Sequence, residues 1–136
     1  MFTIRSRACD PLTWVLSVEG SVDLSNVPEL QEAMEELFEK RIYRIILDLE
    51  RVTFISSAGF GIFLHARETV LRHGGDLVFA GTNSRVREIF DLLGITAFLR
   101  FAPDVGGARA QLEPGATAGE ASGSSSTTLQ KQLDEA

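Results

Sequence analysis

The chain has 136 residues, enough for one ordinary domain with some length to spare, and its 44% hydrophobic content with nine phenylalanines supplies the bulk for a core. Nineteen acidic against 13 basic side chains leave a formal net charge of -6, with no run of Lys or Arg, which argues against nucleic acid as a partner. The single cysteine, Cys9, cannot form an internal bridge. The N-terminal segment lacks a secretory apolar stretch, and Phe54 to Leu64 is too short and too broken by Ser and Gly to be one of the roughly 20-residue spans that cross a bilayer, so a cytoplasmic protein without direct membrane insertion is expected.

Phe2 and Ile4, then Trp14, Leu16 and Val18, alternate with polar residues. This is the period of strands with one covered face, and Asp10 and Pro11 between them read as a hairpin turn. The period then changes: Leu30, Met34, Leu37 and Phe38 share one stripe of a helix while Glu29, Glu32, Glu36 and Glu39 take the water side, with Lys40 and Arg41 at its negative end. Ile45, Ile46 and Leu47, consecutive apolar residues after Tyr43, predict a central strand buried on both faces. Ser57 to His73 reads as a helix ended by Gly74 and Gly75, and Leu77 to Phe79 as the next strand. Val86, Ile89, Phe90 and Leu93 repeat at helical spacing behind a cap at Asn83 or Ser84, and Gly94 is the stop.

Phe98 to Phe101 reads as a last strand. Pro103 opens a short final helix, in which Gly106 and Gly107 each cost about 1 kcal/mol relative to alanine. From Glu113 the composition turns to Gly, Ala, Ser and Thr, with little apolar surface to offset the entropy of ordering. The expected organisation is a domain over residues 1–112 and a flexible Gly/Ser/Thr-rich tail over 113–136, dispensable for folding. Strands alternating with helices imply parallel pairing, hence an α/β fold with a mixed, mostly parallel sheet of about five strands and about three to four helices. In such sheets function collects where strands exit at their carboxyl ends, here at residues 20–25, 48–59 and 80–85.

The most informative stretch runs from Asp48 to Leu64, where a buried strand gives way to a helix through Ser56 and Ser57. A helix N-terminus presents unpaired N–H groups and a partial positive charge, which suit a phosphoryl group. An ordinary capping serine has the same spacing. Gly59 and Gly61 in the first turns weaken a helix and point instead to close packing on the sheet or close approach of a partner.

The run Asp48-Leu49, Val52, Phe54-Ile55-Ser56-Ser57-Ala58-Gly59-Phe60 resembles the signature of STAS domains, bacterial anti-sigma-factor antagonists above all. Gly20-Ser21-Val22-Asp23 before the first helix, Asp76-Leu77 after the Gly-Gly break, and Val86 to Leu93 extend the similarity over about Phe2 to Leu112. The resemblance implies a protein without catalysis or cofactor of its own, phosphorylated at Ser57 by a partner that is both anti-sigma factor and ATP-using serine kinase. Unphosphorylated, it binds that partner; a separate phosphatase resets it. It further implies a partner surface containing Asp23, Ser56, Ala58, Gly59 and Phe60, with Ser21 and Asn26 as lesser candidates in the loop of Asp23. Thr82, Asn83 and Arg85 at another strand exit are lesser candidates, of which Thr82 and Arg85 are taken as partner contacts. Two departures stand out: relatives often carry Asp where this chain has Ser56, and Leu where it has Phe60, which leaves the contact apolar but larger. Asp23 alone reads equally as a helix cap.

The same resemblance admits a STAS subunit of a lipid-transporting ABC-type membrane complex. Enzymatic readings lack their motifs. Ser57 is in no G-x-S-x-G elbow, there is no G-x-x-x-x-G-K-[ST] loop, and His65 and His73 have no ligand set at metal spacing and read as surface side chains.

Overall fold

The computed structural model describes residues 2–94 and 99–112. Strands β1 (Phe2–Asp10) and β2 (Thr13–Val22) form the antiparallel hairpin, turned at Pro11 and Leu12, where the Asp10 carboxylate accepts the Leu12 amide at 2.9 Å. There follow α1 (Val27–Glu39), β3 (Arg44–Ile55), α2 (Ser57–Arg72), β4 (Asp76–Ala80), α3 (Ser84–Leu92), β5 (Arg100–Ala102) and α4 (Val105–Leu112). The strands lie in the order β1-β2-β3-β4-β5, and every pairing after the hairpin is parallel. The mixed, mostly parallel α/β sheet is thus the architecture formed.

Each parallel step adds the next strand on the same side of the last, and right-handed crossovers then place α1, α2 and α3 on a single face. The main core lies there, where Leu30 and Met34 of α1, Phe63 and Val70 of α2 and Val86 and Phe90 of α3 meet Leu16, Leu47 and Phe79 of the sheet. The other face is covered by α4, whose Ala108 and Leu112 pack with Val15, Ile46 and Val78.

This second core changes two expectations. β2 is covered on both sides near its start, since Val15 is as buried as Leu16. The glycines of α4 are offset by a cap and by burial: Asp104 accepts the Gly107 amide at 2.7 Å, and Ala108 and Leu112 are buried. The helix therefore starts at Val105 rather than at Pro103. Its last carbonyl, on Leu112, accepts a hydrogen bond from the Arg44 guanidinium. The last strand begins at Arg100; Phe98 and the tail expected at 113–136 lie outside the described residues.

Lys40 caps the C-terminus of α1 and sets its ammonium 4.7 Å above the Trp14 ring. After α2, Gly74 adopts φ 78°, and a Cβ on Gly75 would fall 1.8 Å from the Tyr43 carbonyl oxygen, so the double glycine lets the chain turn tightly against β3. His65 is exposed, and exposed His73 stacks its ring on Tyr43 at 4.1 Å.

What positions the functional end is the unequal length of neighbouring strands. β3 has 12 residues, but β4 pairs only with Arg44 to Asp48. From Leu49 to Ile55 the chain pairs with β2 and with no other strand among the described residues, running roughly 20 Å past the end of β4 at the rise of an extended strand. α2 starts from that tip.

Candidate functional site

At the tip, the Ser56 amide donates to the Val22 carbonyl at 2.8 Å, tying the end of β3 to the end of β2. Ser56 is the N-cap of α2: its hydroxyl accepts the Gly59 amide at 3.3 Å, and its carbonyl accepts the Phe60 amide at 3.0 Å. Ser57 is the first helical residue, exposed, and its hydroxyl has no hydrogen-bond partner among the described residues. The first-turn amides of Ser57 and Ala58 have no carbonyl one turn back to bond, and the turn contains no acidic side chain, so the positive end of the helix dipole is not offset from within. The two adjacent hydroxyls therefore have different chemistry.

The loop between β2 and α1 is held beside this tip by register, with Ser21 opposite Phe54 and Val22 opposite Ile55. Asn26 braces it by donating its side-chain amide to the Ser21 carbonyl at 2.6 Å. Asp23 does not cap α1. The helix begins at Val27 behind Asn26, and the Asp23 carboxylate instead accepts the Ser25 hydroxyl at 2.5 Å and the Ser25 amide at 3.0 Å. That hydroxyl, followed by the backbone amides of Ser25 and Asn26, holds its carboxyl below the usual aspartate range. Asp23 thus stays ionised in a self-contained turn on the rim. Ser21, Asp23, Asn26, Ser56, Ser57 and Ala58 are brought together at one end of the sheet.

Phe60 is placed differently from the sequence expectation. It is 4% exposed, with its ring edge-on to Phe90 at 4.6 Å, and belongs to the core under α2. Three residues after the exposed first turn the helix stripe has rotated inward, so Phe60 is an anchor for the site rather than a contact surface. Gly59 is buried too: a Cβ there would sit 2.7 Å from Val22 Cγ1 and 3.0 Å from Ile55 Cγ2. Close packing on the sheet, of the two explanations open from the sequence, accounts for Gly59. Gly61 faces open space.

The two glycines should therefore respond to alanine with opposite signs. Gly59→Ala is expected to destabilise by about 1–3 kcal/mol through overpacking. Gly61→Ala is expected to stabilise by about 0.5–1 kcal/mol by restricting the unfolded chain. Urea denaturation of the two variants checks the pair, and equal signs would show that α2 does not start on Val22 as described.

Thr82 and Arg85 are not brought to the serine tip. Ala80 lies opposite Asp48, and Asn83, the cap of α3, accepts the Val86 amide at 2.9 Å and donates to the Val52 carbonyl at 2.8 Å. That loop sits partway along the overhang of β3, with Thr82 half-buried and Arg85 exposed. The sequence reading also passed over Leu24, Phe54 and Leu64, which are 75%, 48% and 40% exposed. Leu24 and Phe54 flank the tip, while Ser57, Gly61 and Leu64 follow one another along one face of α2. Only their failure to fit the buried stripes marks them in the sequence.

A sheet of this order, with helices on one face, a closing helix on the other and a serine pair opening α2, defines a STAS-like architecture. The family model described as STAS domain matches residues 6–108, and the chain belongs to that family. It is 28% identical over 93 residues to the anti-sigma-B factor antagonist of Listeria monocytogenes, covering 68% of this chain and 80% of the relative. Its fold matches an anti-sigma factor antagonist from Mycobacterium paratuberculosis with a TM-score of 0.74 at 20% identity, over 82% of this chain and 94% of that one. It also matches the Bacillus cell fate determinant SpoIIAA in the phosphorylated form, with a TM-score of 0.60 at 20% identity over 74% and 91% of the two chains. Among the described residues no helix is long and apolar enough to cross a membrane, and no group of three or more His, Cys, Asp or Glu side chains is placed to hold a metal ion.

Proposed function

We propose that the protein is an anti-sigma-factor antagonist that binds an anti-sigma factor with serine-kinase activity and is released from it by phosphorylation at Ser57. The observation that carries this reading is the division of labour between the serines: Ser56 spends its hydroxyl on the Gly59 amide, and Ser57 leaves its own exposed at the open end of the helix. The name of the Listeria relative supports the partner class. The kinase would supply ATP and the base that takes the Ser57 proton as the oxygen bonds to the γ-phosphorus and ADP leaves. The new group carries a charge of about -1.5 to -2, and it would sit in a rim containing Leu24, Phe54 and Leu64. A docked apolar surface tolerates a neutral hydroxyl there and not a dianion. A phosphatase then resets the switch.

The test is intact-mass measurement after incubation with ATP and an anti-sigma kinase, together with calorimetry of the unmodified and modified forms against the same kinase. Addition of one phosphoryl group and loss of binding on modification are expected. A protein that remains unmodified and co-sediments with membrane fractions would overturn the reading in favour of a transporter subunit.

Asp23 provides an independent check, because its contacts are confined to its own turn. Asp23→Ala is expected to leave the thermal midpoint nearly unchanged while weakening kinase binding or slowing phosphorylation. Unfolding of the variant under conditions where the wild type is stable would make Asp23 a structural residue.

A further inference from the structure

The β1 edge of the sheet lies two strands away from β3, whose end leads into the serines. β1 is an outer strand of 9 residues. In an edge strand every second residue turns its amide and carbonyl away from the sheet, and no described residue bonds those of β1. A groove reaches β1 on each face of the sheet. On the face that α4 covers only in part, Arg5 and Arg7 of β1, Glu19 of β2 and Asp48, Glu50 and Arg51 of β3 help line a cavity of about 690 Å³ that runs across the three strands. On the α1 side Ile4, Leu16 and Ala33, rimmed by Glu29, Glu32 and Glu36, line one of about 250 Å³.

The larger groove holds three arginines and three carboxylates, and the two arginines of β1 are the ones left outside ion-pair distance. Arg51 meets Glu19 at 3.4 Å, whereas exposed Arg5 and Arg7 have no carboxylate partner among the described residues. Because side chains alternate between faces, a strand laid along β1 would meet cations with one set of its residues, and an apolar floor with a glutamate rim with the other. Main-chain bonds to such an edge give affinity, and grooves for alternate side chains give specificity.

We propose that β1 receives an extended segment of a partner protein as an added strand. The segment is acidic on the side facing Arg5 and Arg7, and apolar or lysine-bearing on the side facing Ile4 and the α1 glutamates. A second copy of this chain is a poor occupant: antiparallel pairing of two β1 strands about Ser6 sets arginine against arginine, and like charges directly opposite destabilise such pairs. Charged residues also protect free edges from aggregation. Protection, however, does not depend on the sign of the charge, and docking does.

The probe is a fluorescein-labelled peptide in which Glu alternates with Ile and Lys, titrated into the full chain and followed by anisotropy. Saturable binding is expected, weakened about tenfold in the double variant R5E/R7E, as two lost exposed ion pairs would give. A probe with Arg in place of Glu should prefer that variant, and N-methylation of the probe's alternate amides should abolish binding to the wild type. Four outcomes would overturn the proposal: no saturable binding; equal affinity for wild type and R5E/R7E; binding that appears only after truncation at Leu112, which would assign the edge to the chain's own C-terminal segment; or self-association in sedimentation that R5E/R7E abolishes.

Discussion

Phe60→Ala is expected to lower the unfolding free energy by about 3–5 kcal/mol, the cost of truncating a buried phenylalanine whose neighbours cannot fill the space. Collapse is hindered here because Phe60 starts a chain of rings. It stands edge-on to Phe90 at 4.6 Å, Phe90 contacts Phe79 and Phe101 at 5.3 and 5.5 Å, and Phe79 contacts Phe63 at 5.7 Å. These rings join α2 and α3 to β4 and β5. The conservative Phe60→Leu, which keeps an apolar side chain at the position, should cost less than about 1.5 kcal/mol. Urea denaturation read by fluorescence and circular dichroism measures both. A Phe60→Ala cost under about 1 kcal/mol, with partner binding lost, would move Phe60 back to the surface where the sequence reading had put it.

That displacement of Phe60 shows what periodicity does and does not encode. The order of elements was legible because each signal is local: alternation at Phe2, Ile4 and Leu16, the unbroken Ile45-Ile46-Leu47, and the glycine stops at Gly74 and Gly94. The burial of Val15 was not legible. It depends on α4, whose two glycines argue against a helix until the packing of Ala108 and Leu112 on the reverse face is known. Local propensity was overridden there by a contact remote in sequence.

The site was legible in part for the same reason. Ser56 and Ser57 lie at a strand-to-helix junction that any reading of the sequence finds, and the resemblance joined Asp23 and Asn26 to them across the chain. What was hidden is the overhang of β3. Nothing in the residues from Leu49 to Ile55 states that β4 stops pairing at Asp48, so Thr82 and Arg85 looked equivalent in position to the serines and are not. Nor does a helix stripe drawn from Phe63, Ala66 and Val70 reveal how early in α2 it begins; the burial of Gly59 on Val22 brings Phe60 inward with it.

The choice between the serines rests on that same first turn, and it is an all-or-none prediction. Ser57→Ala is expected to abolish phosphorylation while preserving kinase binding, since it removes an exposed hydroxyl that hydrogen-bonds to no described residue. Ser57→Asp should weaken binding by introducing charge beside Leu24 and Phe54, though less than a phosphate does. Ser56→Ala should still accept phosphate. Its cost is the lost cap on the Gly59 amide, about 1 kcal/mol of stability, with a slower reaction if the first turn frays. Site-resolved mass spectrometry of the phosphorylated wild type decides the matter, because the two positions are adjacent and give separate fragment ions. Phosphate on Ser56 alone, with Ser57→Ala modified at the normal rate, would mean that the capping hydroxyl leaves the Gly59 amide to react, and that the open hydroxyl of Ser57 is not the acceptor.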